Sequence, residues 1–79
     1  MDMSRLRWRC RRGMAELDIM LDNFLTYGYL QLDQHKKTVF YKMLEYPDNE
    51  LHDYLILKTQ LRDREIQDVI ISIRAAFKN

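Results

Sequence analysis

Apolar residues Leu17, Met20, Leu21, Phe24, Leu25 and Gly28 recur at i, i+3, i+4, i+7, i+8 and i+11, the stripe of an amphipathic helix. Glu16, Asp18 and Asp22 place negative charge in its early turns, where it complements the positive end of the helix dipole. The same period returns at Val39, Phe40, Met43 and Leu44, at Leu51, Tyr54 and Leu55 with Leu57 a further candidate, and at Ile66, Val69, Ile70, Ile73 and Phe77. Leu6 and Cys10 run in phase into Met14 and Leu17, which predicts a short helix at the start of the chain.

The breaks between these stripes carry the residues that end and start helices. Ser4 is placed to cap the first helix, which runs to Arg11 or Arg12 and is ended or bent by Gly13. Gly28 and the polar stretch to Gln34 form a connection, and Asp33 caps the third helix. Pro47 stops that helix, Asp48 caps the fourth, and Asp63 opens the last, with Lys78 at its negatively polarised end. The expectation is an all-α, compact single-domain bundle of five helices spanning 1–79. Its core is Leu17, Leu21, Phe24, Leu25, Phe40, Met43, Leu44, Leu55, Ile66, Val69, Ile70 and Ile73.

Composition narrows the chemistry. A chain of 79 residues buries only roughly 60–65% of its unfolded surface, which argues against a deep enclosed active site. Cys10 is the only cysteine, so no internal disulfide forms. His35 and His52 lack the neighbours that a zinc site or a general base requires and read as surface residues. No apolar run approaches the roughly 20 residues of a membrane span. No nucleophile–base pair or paired-carboxylate cleft can be assembled, so the chain is not read as an enzyme.

Charge adds a polarity that the helical pattern does not show. Residues 1–13 hold Arg5, Arg7, Arg9, Arg11 and Arg12 against Asp2, a net of +4, and the remainder is net −3. Such asymmetry concerns partners more than folding. One reading is a basic arm for nucleic acid, for which Trp8 is the only aromatic residue available in that segment. The other centres on Gly13, set between Arg12 and Glu16. A glycine in or beside a helix costs about 1 kcal/mol relative to alanine, so its presence there points to a required backbone shape or a close approach by another surface. Arg12 and Glu16 could also be no more than an exposed i, i+4 ion pair.

The segment Arg12-Gly13-Met14-Ala15-Glu16, set in Trp8-Arg9-Cys10-Arg11-Arg12-Gly13-Met14-Ala15-Glu16-Leu17-Asp18, resembles the Arg-Gly-x-x-Glu hallmark of the small succinate dehydrogenase flavinylation factors, also described as FAD assembly factors. The resemblance continues through Phe40-Tyr41-Lys42-Met43-Leu44-Glu45, Asp48-Asn49-Glu50-Leu51 and Tyr54-Leu55, with Tyr54 standing where that family has tryptophan. It implies a helical chaperone that binds the flavoprotein subunit of succinate dehydrogenase, and in some bacteria that of fumarate reductase, and promotes covalent attachment of FAD to a histidine there. Arg12, Gly13 and Glu16 would be the functional motif, with Arg5, Trp8, Arg11 and Asp18 as surrounding partner contacts. FAD would be carried by the flavoprotein, this chain would bind no cofactor or metal, and the bacterial cytoplasm would be its compartment, ahead of the mitochondrial matrix. The alternative is a small nucleic-acid-binding helical module.

Overall fold

The computed structural model describes residues 3–77. Five helices follow one another: α1 (Met3–Arg9), α2 (Ala15–Tyr27), α3 (Gln34–Met43), α4 (Asp48–Leu55) and α5 (Arg64–Phe77), with a 3₁₀ turn at Tyr29–Gln31. No strand occurs among the described residues. α5 packs against α2, α3 and α4, which makes it the central element. This suits its sequence, because Ile66, Val69, Ile70 and Ile73 give it a continuous buried stripe.

The twelve core positions read from periodicity are all buried, none more than 6% exposed. Leu6, Cys10, Met20, Tyr29, Val39 and Leu51 join them in one cluster. Phe24, Tyr29 and Phe40 meet at ring-centroid distances of 5.6 and 5.4 Å around Phe40. Gly28 is required here by space, because a Cβ at that position would lie 2.5 Å from Cε1 of the buried Phe24 ring. Tyr54 is half-buried and packs edge-on against Tyr46 at 5.6 Å, so the tryptophan-to-tyrosine departure falls on an aromatic contact at the rim of the core.

Several helix ends differ from the expectation. Ser4 lies inside α1 and is not its cap, since the helical backbone already includes Met3. α1 ends at Arg9, short of Arg11 and Arg12, which lie in the turn toward α2. Asp33 does cap α3, accepting from the Lys36 N–H at 2.8 Å. Asp63 does the same for α5, accepting from Glu65 and Ile66 at 3.0 and 3.2 Å. Asp48 is not the cap of α4: Pro47 holds that position with an extended backbone, and Asp48 is the first helical residue. Phe77, expected on the buried face of α5, is 42% exposed, and Leu57, a candidate for the apolar face of α4, lies beyond the end of that helix and is 63% exposed. Lys78 lies outside the described residues.

Candidate functional site

The turn between α1 and α2 is built on Gly13, whose φ of +85° lies in the left-handed region that a side chain disfavours. A Cβ at Gly13 would meet nothing within 4 Å, so backbone shape explains the glycine and crowding within the chain does not. Asp18, one turn into α2, holds this conformation. Its Oδ1 accepts from the Arg12 N–H at 2.8 Å and its Oδ2 from the Gly13 N–H at 3.1 Å. The carboxylate thereby satisfies two donors that the broken helix leaves without partners.

Arg12 turns inward. Its Nε donates to Oδ1 of Asp48 at 2.7 Å, Nη1 to the carbonyls of Leu44 and Arg9 at 2.9 and 3.2 Å, and Nη2 to the carbonyl of Tyr46 at 2.8 Å. Arg9 closes α1, Leu44 is the C-cap of α3 and Asp48 opens α4. One guanidinium therefore joins three helix ends. It meets carbonyls at the negatively polarised ends of α1 and α3 and a carboxylate at the positively polarised start of α4, the favourable sense in each case. The planar fork of arginine supplies several donors at once, and its side chain is only 15% exposed.

Glu16 does not pair with Arg12. It lies on the exposed face of the first turn of α2 and makes no hydrogen bond or ion pair among the described residues. The exposed i, i+4 salt bridge is thus excluded, because Arg12 is not helical and its guanidinium is occupied elsewhere.

The other predicted contacts divide in the same way. Trp8 is 74% exposed and shares a shallow surface depression with Arg5 on α1, and Arg11 is exposed in the turn. Asp18 faces the backbone of the turn. Arg7 pairs with Asp22 at 2.5 Å, and the Arg9 guanidinium stands 5.8 Å from the centroid of the Tyr41 ring. The sequence marks Asp48 as a helix cap and as part of the family pattern, but not as a partner of Arg12. Its bond to Arg12 spans 36 residues, a separation at which local sequence patterns carry no signal. Cys10, beside this turn, is buried, and burial pushes its thiol up to about 12 despite nearby arginines. It is therefore a poor nucleophile at neutral pH.

A groove of about 850 Å³ between α2 and α5 is lined by residues such as Tyr27, Gly28, Gln31, Leu32 and Ala76, without a cation, and a second of about 610 Å³ between α1 and α2 is lined by Arg7, Arg11, Asp18 and Asp22. Among the described residues no group of histidine, cysteine and carboxylate side chains is arranged to hold a metal ion, and no helix is long and apolar enough to cross a membrane.

Comparison with known proteins gives a consistent result. The family described as flavinator of succinate dehydrogenase matches residues 4–77. A protein of Coxiella burnetii named FAD assembly factor SdhE is 36% identical over 70 residues, covering 89% of this chain and 85% of its own. Proteins of the same name from Shewanella oneidensis and Yersinia pestis are 34% and 35% identical over 74 and 75 residues, covering 94% and 95% of this chain and 90% and 85% of their own.

Proposed function

The chain belongs to the family of flavinators of succinate dehydrogenase, and we propose that it binds the flavoprotein subunit of that enzyme and promotes covalent attachment of FAD to it. It works as an assembly factor and not as an enzyme. FAD resides in the flavoprotein, and the fumarate reductase flavoprotein is a second client in hosts that carry one. The site of action is the bacterial cytoplasm.

The observation that carries this reading is the division of labour within Arg12-Gly13-x-x-Glu16. Arg12 is spent on internal bonds, whereas the Gly13 turn is open and Glu16 is exposed and has no partner among the described residues. A rigid turn that presents a bare backbone and a free carboxylate suits docking against a folded partner. Exposed Arg5, Trp8 and Arg11 extend the docking face. Arg12 and Asp18 serve it from behind by fixing the turn. By binding one conformation of the flavoprotein more tightly than others, the factor raises the population of the form competent for flavin attachment.

The nucleic-acid alternative is weakened by the pairing of the basic lead. Arg7 is bonded to Asp22, Arg12 is internal and Arg9 lies over Tyr41, which leaves Arg5 and Arg11 as the exposed arginines of that segment with no partner among the described residues. The test is deletion of the gene in its host. The flavoprotein subunit should still be made but show little in-gel flavin fluorescence after denaturation, since only covalently attached flavin survives. Full fluorescence in the deletion strain rejects the reading.

A further inference from the structure

An open, chiefly apolar trough of about 350 Å³ lies beside Glu16, between α2, the end of α4 with the backbone that follows it, and the last turn of α5. Met20, Leu55 and Ile56 line it together with Ile19 and Phe77, which remain 59% and 42% exposed. Ile19 stands off the core stripe of α2, so burial within this chain does not account for an isoleucine there. Three charges, Glu16, Lys58 and Arg74, lie along the trough, and none makes a hydrogen bond or ion pair among the described residues. Lys58 takes a left-handed φ of +60°, a conformation that costs a side-chain-bearing residue energy. A bulky apolar patch rimmed by unpaired charge is the form of a protein-docking site.

The geometry points to this trough as the second half of the flavoprotein-binding surface, receiving a segment of the flavoprotein that inserts an apolar side chain between Ile19 and Phe77. The inference rests on the reading that this chain binds that subunit. The occupant is defined by charge and by continuity. Glu16 belongs both to the Arg-Gly-x-x-Glu turn and to the trough, so a partner docked on the turn already reaches its edge. Covering the trough takes Glu16, Lys58 and Arg74 out of water, which is tolerated only where each meets an opposite charge. The segment therefore carries a basic side chain facing Glu16 and an acidic one facing Lys58 and Arg74.

The experiment is calorimetric titration of the purified flavoprotein subunit with the full-length chain and with Ile19→Asp, Phe77→Ser, Arg74→Glu and Leu30→Asp. Leu30 is 71% exposed and lies outside the trough, so it reports the effect of an added surface charge alone. Circular dichroism confirms which variants are folded, and Phe77→Ser probes the trough independently if Ile19→Asp is not. The expected result is a loss of affinity of about tenfold or more for the Ile19, Phe77 and Arg74 variants, as for anchors at the centre of an interface, with Leu30→Asp binding as wild type. Wild-type affinity in the folded Ile19 and Phe77 variants overturns the trough while leaving the Arg-Gly-x-x-Glu surface standing. A chain that self-associates through the trough, with a dimer in sedimentation that Ile19→Asp abolishes, overturns it in favour of a second copy. Failure of the wild-type chain itself to bind rejects the parent reading and the trough together.

Discussion

Arg12 and Asp48 meet at 2.7 Å, and their bond ties the turn after α1 to the first residue of α4. The two partners are not equal. Arg12 is 15% exposed and also holds three carbonyls, whereas Asp48 is 48% exposed and its carboxylate bonds only Arg12 among the described residues. Arg12→Ala should therefore destabilise by about 3 kcal/mol, because it leaves part-buried acceptors without a donor. For a domain of this size that corresponds to a melting temperature roughly 12–24 °C lower. Asp48→Ala should cost under about 1 kcal/mol, as expected for a partly exposed pair. Arg12→Lys should recover little, since one ammonium cannot replace the fork. Thermal melts of the three variants check the order, and equal losses for Arg12→Ala and Asp48→Ala would contradict the geometry.

Gly13 separates backbone strain from surface filling. Any β-carbon at φ +85° is disfavoured, so Gly13→Ala should cost about 1–2 kcal/mol although nothing crowds it. Gly13→Asn should cost less, because asparagine tolerates the left-handed region. Gly13→Arg should remain a folded helical bundle and yet lose flavoprotein binding, because its long side chain fills the open turn. Asparagine and arginine variants that bind equally well would show that the turn is not approached closely.

The buried thiol supplies a pH signature. Cys10 ionises near its ordinary value of 9.0 when unfolded but at about 12 in the fold, because burial disfavours the thiolate. The sign follows: the unfolded state loses its proton first as pH rises, so stability is full below pH 9 and declines between 9 and 12. Tyr29, also raised to about 12 chiefly by burial, adds to the decline above pH 10. Urea melts at pH 8 and pH 10.5 should show the difference, and Cys10→Ala should reduce it. At pH 8 a maleimide should modify Cys10 only after denaturant is added.

The helices were legible in the sequence wherever one face is buried along its whole length. α2, α3 and α5 repeat apolar residues at helical spacing, and Leu17, Phe40 and Ile70 are each fully buried. Tyr29 was hidden because it sits in a 3₁₀ turn inside a polar stretch, where no period marks it. Helix ends were harder to read than helix faces, since Ser4 and Asp48 are good capping residues placed one or more positions inside their helices. The role of Arg12 was not legible as chemistry. Two of its partners are backbone carbonyls 32 and 34 residues away, and a carbonyl carries no side-chain signature. Resemblance marked Arg12, Gly13 and Glu16 as a unit, and the structure assigns them different physical tasks.

That division gives the sharpest expectation for Glu16. It is exposed and forms no bond among the described residues, so Glu16→Ala should leave the melting temperature within a few degrees of wild type. On the proposed docking surface the same carboxylate is expected to be desolvated against a basic group of the flavoprotein. Truncating one member of such a pair costs about 2–5 kcal/mol of binding. Expressed in the deletion strain at matched levels, Glu16→Ala should restore covalent flavin poorly although stable, whereas Arg12→Ala should restore it poorly and also melt early. Raising the growth temperature should widen the defect of Arg12→Ala and leave that of Glu16→Ala nearly unchanged. In-gel flavin fluorescence alongside thermal melts measures both quantities. Full rescue by Glu16→Ala would remove the exposed carboxylate from the docking surface, and with it the link between the Arg-Gly-x-x-Glu turn and the neighbouring trough.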